Sequence, residues 1–336
     1  MPVKFDRREF VRRAGGAALA ALLARRGLMQ ALAASPAASK AFRGIFAILQ
    51  TPFAANDQLD WEDLEREVSF CIRAGAHGLV WPQLAGEFYL LTEEERMHGA
   101  EVILRKAAGG PSAVVIGVQA PIKELAVKLA QHAEEKGADA VIALPPFLGN
   151  VSAEAAGDYY RALARAVKLP IFIQNSGGSW GPALSTSFVM QLAREFPQLG
   201  YIKEEVSPVA HRMEEYVRSG VMRGIFSGNA GRDLLNEMAH KSSGTMPACE
   251  FVDIDVQIYE LAAAGKREEA RALFAKLLPL ISMEEAYGMS FAKTVLVRRG
   301  VFKTAKLRGV SGTPMDALDL KELEAWWKQL QPHFKA

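Results

Sequence analysis

The chain has 336 residues, 50% of them hydrophobic and 23% charged, with a formal net charge of +2. That balance excludes a disordered, collagen-like or disulfide-stapled chain and leaves apolar material for one large core or two smaller ones. Residues 1–33 carry a surplus of five positive charges, which leaves −3 for residues 34–336. A nucleic-acid partner is therefore not expected, since it needs a clustered basic face.

The first residues have the layout of an export leader. Arg7-Arg8 precede Phe10, and an Ala/Gly-rich apolar run extends from Ala14 to Ala24. Eleven residues are too few to cross a bilayer. The arginine pair resembles a twin-arginine signal, with cleavage expected near Ala33 and the periplasm as destination. The alternative is an amphipathic helix of the mature fold. Expected boundaries are 1–33 for the signal and 34–43 for a linker, with no membrane partner once the signal is removed. Only Cys71 and Cys249 occur. They are expected as buried free thiols, although an oxidising compartment would allow pairing.

From Gly44 the pattern alternates between short apolar runs and amphipathic stretches. The runs begin at Gly44, His77, Ser112, Ala138, Leu169, Gly200, Arg223 and Ser243. Asp60, Thr92 and Ser152 open helical stretches, and Gly75, Gly137 and Gly220 close them. Eight strand-then-helix units predict an α/β fold, a closed (β/α)8 TIM barrel over residues 44–265. An open doubly wound sheet is the competitor, but its Gly-rich phosphate fingerprint is missing after the first strand. Residues 266–336 read as an appended helical region. Helices are expected over 252–264, 267–279, 290–299 and 320–331.

In such a barrel the chemistry sits at the C-terminal ends of the strands. The sixth run, Gly200-Tyr201-Ile202-Lys203-Glu204-Glu205, breaks the apolar pattern there. Alternation puts Tyr201, Lys203 and Glu205 on one face. A buried lysine is costly unless paired or neutralised, and desolvation favours the nucleophilic amine. Three readings fit. Lys203 is a Schiff-base nucleophile, or it forms a structural ion pair with Glu205, or Glu204 faces inward instead.

The chain resembles the dihydrodipicolinate synthase / N-acetylneuraminate lyase family over residues 44 to about 330. The matching marks are Ala47 with Thr51-Pro52-Phe53, Gly86-Glu87, Leu91-Thr92 with Glu95-Arg96, and Pro145-Pro146-Phe147. Asn175, Ile202-Lys203-Glu204, Ser227-Gly228, Ala264-Gly265-Lys266 with Ala270-Arg271, and Lys293 near Leu296 complete them. The resemblance implies a Lys203 Schiff base with a 2-oxo acid and a homo-oligomer; no cofactor and no metal are expected. It also implies substrate contacts at Thr51, Leu84, Ala85, Gly86, Glu87, Phe147, Gln174, Asn175, Gly228, Asn229 and Met246. For Glu87 a helix-start role competes with that contact. Phe88 and Tyr89, beside the second loop, are candidates for the pocket wall or a subunit contact.

Departures from the family pattern stand at the proton path. Leu84 and Ala85 replace two threonines, Gln174 replaces the acid/base tyrosine, and Phe147 replaces another tyrosine. None of the four can move a proton. Glu205 offers a carboxylate on the lysine's face, either as substitute acid/base or as a neutralising partner. His77, His132 and His211 show no metal-ligand spacing, and Cys249 lacks a histidine partner. The expected function is a lyase on a pyruvate-related or sugar-derived 2-oxo acid, as aldolase, synthase or dehydratase. The competing function is an exported binding protein that kept the pocket without turnover.

Overall fold

A computed structural model describes residues 40–309 and 312–336. The leader, with its expected cleavage near Ala33, and most of the linker lie outside the described residues. Eight parallel strands close on themselves in the order β1 to β8. They are β1 Gly44–Ile48, β2 Gly78–Trp81, β3 Ala113–Gly117, β4 Ala140–Ala143, β5 Ile171–Asn175, β6 Tyr201–Glu204, β7 Gly224–Ser227 and β8 Gly244–Thr245. Closure comes where Gly44 pairs with Gly244 and Ile45 with Thr245. The closed barrel, rather than the open sheet, is the architecture.

Helices cover the outside. In chain order they are α1 Trp61–Arg73, α2 Glu93–Ala107, α3 Lys123–Glu135, α4 Ala153–Ala166, α5 Thr186–Glu195, α6 Val209–Ser219, α7 Leu234–Ala239 and α8 Val252–Ala263. The start signals act as side-chain caps. Asp60 accepts from the Asp63 amide, Ser152 accepts from the Ala155 amide, and Thr92 forms a reciprocal capping box with Glu95. Gly220 stops α6 with φ +65, a conformation that disfavours side chains.

The barrel interior is a layered apolar fill. Phe46, Val115, Ile142, Phe172, Phe226 and Met246 pack inside, and Tyr201 and Phe42 close against them. Phe42 meets Phe46, Phe172 and Tyr201 edge-on at 5.3–6.1 Å between centroids. Glycine stands where these rings cross neighbouring strands. A Cβ on Gly224 would come within 2.6 Å of the Tyr201 ring, and one on Gly78 would strike the Phe46 ring. The lower barrel is therefore solid, and polar chemistry is confined to its upper end.

Three helices follow the barrel: α9 Arg267–Tyr287, α10 Met289–Arg298 and α11 Ala317–Leu330. Sequence reading ended α9 at Pro279, but the helix runs through it to Tyr287. Proline fixes a helix-compatible φ and removes one backbone bond. Burial of Leu273, Leu277, Leu280, Ile281 and Met283 outweighs that loss. Arg299 ties the appendage down through two bonds to Asp253 at 2.8 and 2.7 Å, between the Phe70 and Phe334 rings.

Behind β1, Glu67 of α1 is fully buried. Its Oε1 accepts from the Gln50 amide at 2.8 Å and the Cys249 thiol at 2.9 Å. Cys71 and Cys249 are both free and buried. Burial pushes the Glu67 carboxyl up to about 8 from 4.5. The folded protein then holds a proton that the unfolded chain releases, so stability is full below pH 4.5 and declines as pH rises to about 8. Urea titrations across that range should show a shallower decline in Glu67→Gln than in the native chain. Equal slopes would contradict the assignment.

Candidate active site

Lys203 and Glu205 both turn into the upper lumen. Tyr201, two residues before Lys203, belongs to the lumen cluster, whereas Ile202 packs on the helix side. Glu204 also faces outward, accepting from Asn175, from the Tyr216 hydroxyl at 2.8 Å and from Arg212. The inward-Glu204 reading is thereby excluded. Burial raises the Glu204 carboxyl above its ordinary value, and Arg212 opposes that shift.

Lys203 Nζ lies 3.2 Å from Glu205 Oε1, with only 3% of the lysine and 10% of the glutamate side chain exposed. The second carboxylate oxygen accepts from Gln174 Nε2 at 2.7 Å. Gln174 is the direct ladder partner of Lys203. Gly228, just beyond β7, supplies the space. A Cβ there would overlap the Glu205 carboxylate and approach Lys203 Cε to 2.7 Å. Met246 is buried in the same lumen, and Ala85 packs at its edge. Asn229 follows Gly228 with φ +51, which turns the chain sharply over the site.

The loop after β2 is held from beneath. The Trp81 indole donates to the Thr51 hydroxyl at 3.1 Å, and that hydroxyl donates to the Gly86 carbonyl at 2.5 Å. Thr51 thus positions the loop. A Cβ on Gly86 would meet the Leu49 carbonyl at 2.8 Å. Sequence reading placed Glu87 among the substrate contacts. The structure puts its carboxylate 2.5 Å from Lys293 Nζ, with neither side chain exposed. Burial pulls Lys293 below its ordinary value, and Glu87 opposes that. Leu84 is half-buried on the same loop.

Asn175 was also expected at the substrate. Its side chain is instead on the helix side, bonded to the backbone of Leu184 at 3.0 and 2.9 Å and to Glu204. Alternation along β5 explains this, because Gln174 takes the inward position. Phe147 sits above β4, edge-on to Phe88 and Trp180 at 5.6 and 5.8 Å, and Tyr89 joins the group. Ser227 faces the helices, donating to Glu237 and meeting the Thr245 hydroxyl at 2.9 Å.

Sequence reasoning missed the amide pair below the β2 loop. Gln83 Nε2 donates to Gln119 Oε1 at 2.9 Å, and Gln119 donates to the Pro82 carbonyl at 2.9 Å. Arg96 locks the end of β3 by donating to the carbonyls of Gln119 and Gly117 at 2.9 and 3.0 Å. Burial pulls the Arg96 guanidinium down to about 10. The position of Gln119, polar at the C-terminal end of an apolar run, was the signal for it. Among the described residues no His, Cys, Asp and Glu group could hold a metal ion. His77 is used at the other end of the barrel, accepting from the Ile45 amide at 3.1 Å and meeting Glu260 at 3.0 Å.

The model of the Dihydrodipicolinate synthetase family matches residues 41–331. The chain belongs to this family. Dihydrodipicolinate synthetase relatives include L-2-keto-3-deoxyarabonate dehydratase of Azospirillum brasilense, 30% identical over 79% of this chain and 87% of that protein. A probable 2-dehydro-3-deoxy-D-pentonate aldolase of Escherichia coli K12 is 33% identical over 72% and 81% of the two chains. The crystal structure of a dihydrodipicolinate synthase from Rhodopseudomonas palustris superposes with a TM-score of 0.78 at 25% identity, covering 88% of this chain and 99% of that one. As a dihydrodipicolinate synthetase family member, the protein is a carbon–carbon or carbon–oxygen lyase acting on a 2-oxo acid.

Gly228→Ala should displace Glu205 and Lys203 together and lower lyase activity about 100-fold, the scale of a misplacement near 1 Å. Thermal unfolding should move little by comparison. Activity within twofold of the native chain, at unchanged stability, would show that the pair does not depend on the space Gly228 leaves.

Proposed function

We propose that the lyase works through an imine between Lys203 and C2 of its 2-oxo acid, with Glu205 as the proton carrier. The observation that carries this is the 3.2 Å contact between the amine and a carboxylate whose other oxygen is anchored by Gln174. A proton passes from the Lys203 ammonium to Glu205 Oε1. The freed lone pair adds to the C2 carbonyl, and the protonated Glu205 returns its proton as the carbinolamine hydroxyl leaves as water. The carboxylate is then ready to take a proton from C3 or from a hydroxyl on C4. In a retro-aldol step Glu205 takes the C4 hydroxyl proton and the C3–C4 electron pair flows into the imine. An aldehyde departs, and Glu205 returns the proton to C3 of the enamine. In a dehydration step loss of the C3 proton forms the enamine, which expels the C4 oxygen, and Glu205 returns the proton to complete a water molecule. Hydrolysis releases the product and restores the lysine.

The relatives' pentose-derived substrates support a deoxy-sugar 2-oxo acid here, with dehydration or aldol cleavage as the reaction. Glu205 takes the part that Leu84, Ala85, Phe147 and Gln174 cannot play. The Arg7-Arg8 leader supports export to the periplasm, where such a sugar acid would be met outside the cytoplasm. The apolar side chains of Tyr89, Ile122 and Leu148, exposed on loops after β2, β3 and β4, support a homo-oligomer contact.

Glu205→Gln tests the assignment in two assays. As proton carrier, its loss should slow turnover about 10²–10⁴-fold while borohydride still traps a 2-oxo acid on Lys203. As a mere ion-pair partner, its loss should free the amine, so that trapping accelerates and turnover holds or rises. The second pattern would overturn the proton-carrier role. A 2-oxo acid bound calorimetrically but trapped by no borohydride treatment would overturn the imine.

A further inference from the structure

Gln174 uses its amide on one side only. Nε2 donates to Glu205 Oε2 at 2.7 Å, while Oε1 is buried without a hydrogen-bond partner among the described residues. The whole side chain is 0% exposed. Its orientation follows from chemistry. A carboxylate paired with an ammonium only accepts, so the NH₂ end must face Glu205 and the oxygen must face away.

Where that oxygen sits is fixed by the strand. Gln174 is opposite Lys203 in the ladder, and Phe172, two residues earlier on the same face, packs in the lumen. The amide therefore stands one layer above the Phe172 ring, beside the amine. Buried acceptors are normally satisfied, and one left unpartnered beside the reacting amine is open to a ligand's donor.

We propose that Gln174 is a substrate-contacting specificity residue whose Oε1 accepts a hydrogen bond from a hydroxyl on C4 of the substrate. This rests on the imine reading, which places C2 at Lys203. The carboxylate at C1 has no donor, and C3 must be open to Glu205. C4 is the first carbon whose hydroxyl the enamine chemistry acts upon. Gln174 cannot titrate, so it holds the hydroxyl while the carboxylate bonded to the same amide moves the proton. Selection arises because a substrate lacking the hydroxyl leaves the buried oxygen unpaired.

The test uses a matched pair, 4-hydroxy-2-oxopentanoate and 2-oxopentanoate, titrated calorimetrically in the cold into the full chain. The native protein should bind the hydroxylated acid about 10-fold or more tightly, the scale set by an unmet buried acceptor. In Gln174→Met the ratio should fall to about twofold or less, even if both acids weaken together through Glu205. Equal binding of the two acids by the native chain would overturn the inference without any variant. So would a preference that survives in Gln174→Met. Borohydride trapping of pyruvate is run in parallel. An adduct with no hydroxyl preference sinks this inference alone, and a preference with no adduct sinks the imine and with it the C4 assignment.

Discussion

An ammonium and a carboxylate 3.2 Å apart, both turned into an apolar lumen, set the terms for the surrounding structure. Removing two charges from water is expensive, and their attraction repays it only when the remaining polar atoms are also satisfied. Gln174 answers one carboxylate oxygen and the amine answers the other. Gly228 leaves the room that the pair occupies, because any side chain there would enter the carboxylate. The aromatic layers below exclude water from the base of the site, which strengthens every interaction above them. The acceptor already in contact with that ammonium is Glu205.

The rim depends on a second set of buried polar contacts. Glu87 and Lys293 pair beneath the β2 loop, Thr51 bonds the Gly86 carbonyl, and Arg96 clamps the carbonyls at the end of β3. Lys293 comes from α10, so the appended helices contribute directly to the placement of a barrel loop. Phe53 lies against both Lys293 and Arg308, at 4.4 and 4.3 Å from the ring centre. The C-terminal region is thus structural support for the site, which needs its loops fixed to within fractions of an ångström.

The barrel was readable because each strand is buried on both faces, so eight apolar runs stood out between capped amphipathic stretches. Lys203 was readable for the opposite reason, as a charge in such a run. Alternation along β6 then joined it to Glu205, and the family resemblance added Gln174. The same alternation, applied to β5, would have turned Asn175 outward, where it braces Glu204 and the Leu184 backbone. Glu87 could not be placed from sequence, because its partner lies some 200 positions away on another helix and no local pattern links them. Pro279 misled for a local reason, since tertiary burial on α9 outweighs one missing backbone bond. The Gln83–Gln119 amide pair joins two strand ends and leaves no periodic trace.

The most direct test of the central claim is covalent. The purified full chain is incubated with pyruvate and borohydride, and the modified peptide is identified by mass spectrometry. The account predicts one reduced adduct per chain, located on Lys203 and absent from Lys203→Ala. An adduct on a different lysine, or none while pyruvate demonstrably binds, would contradict it.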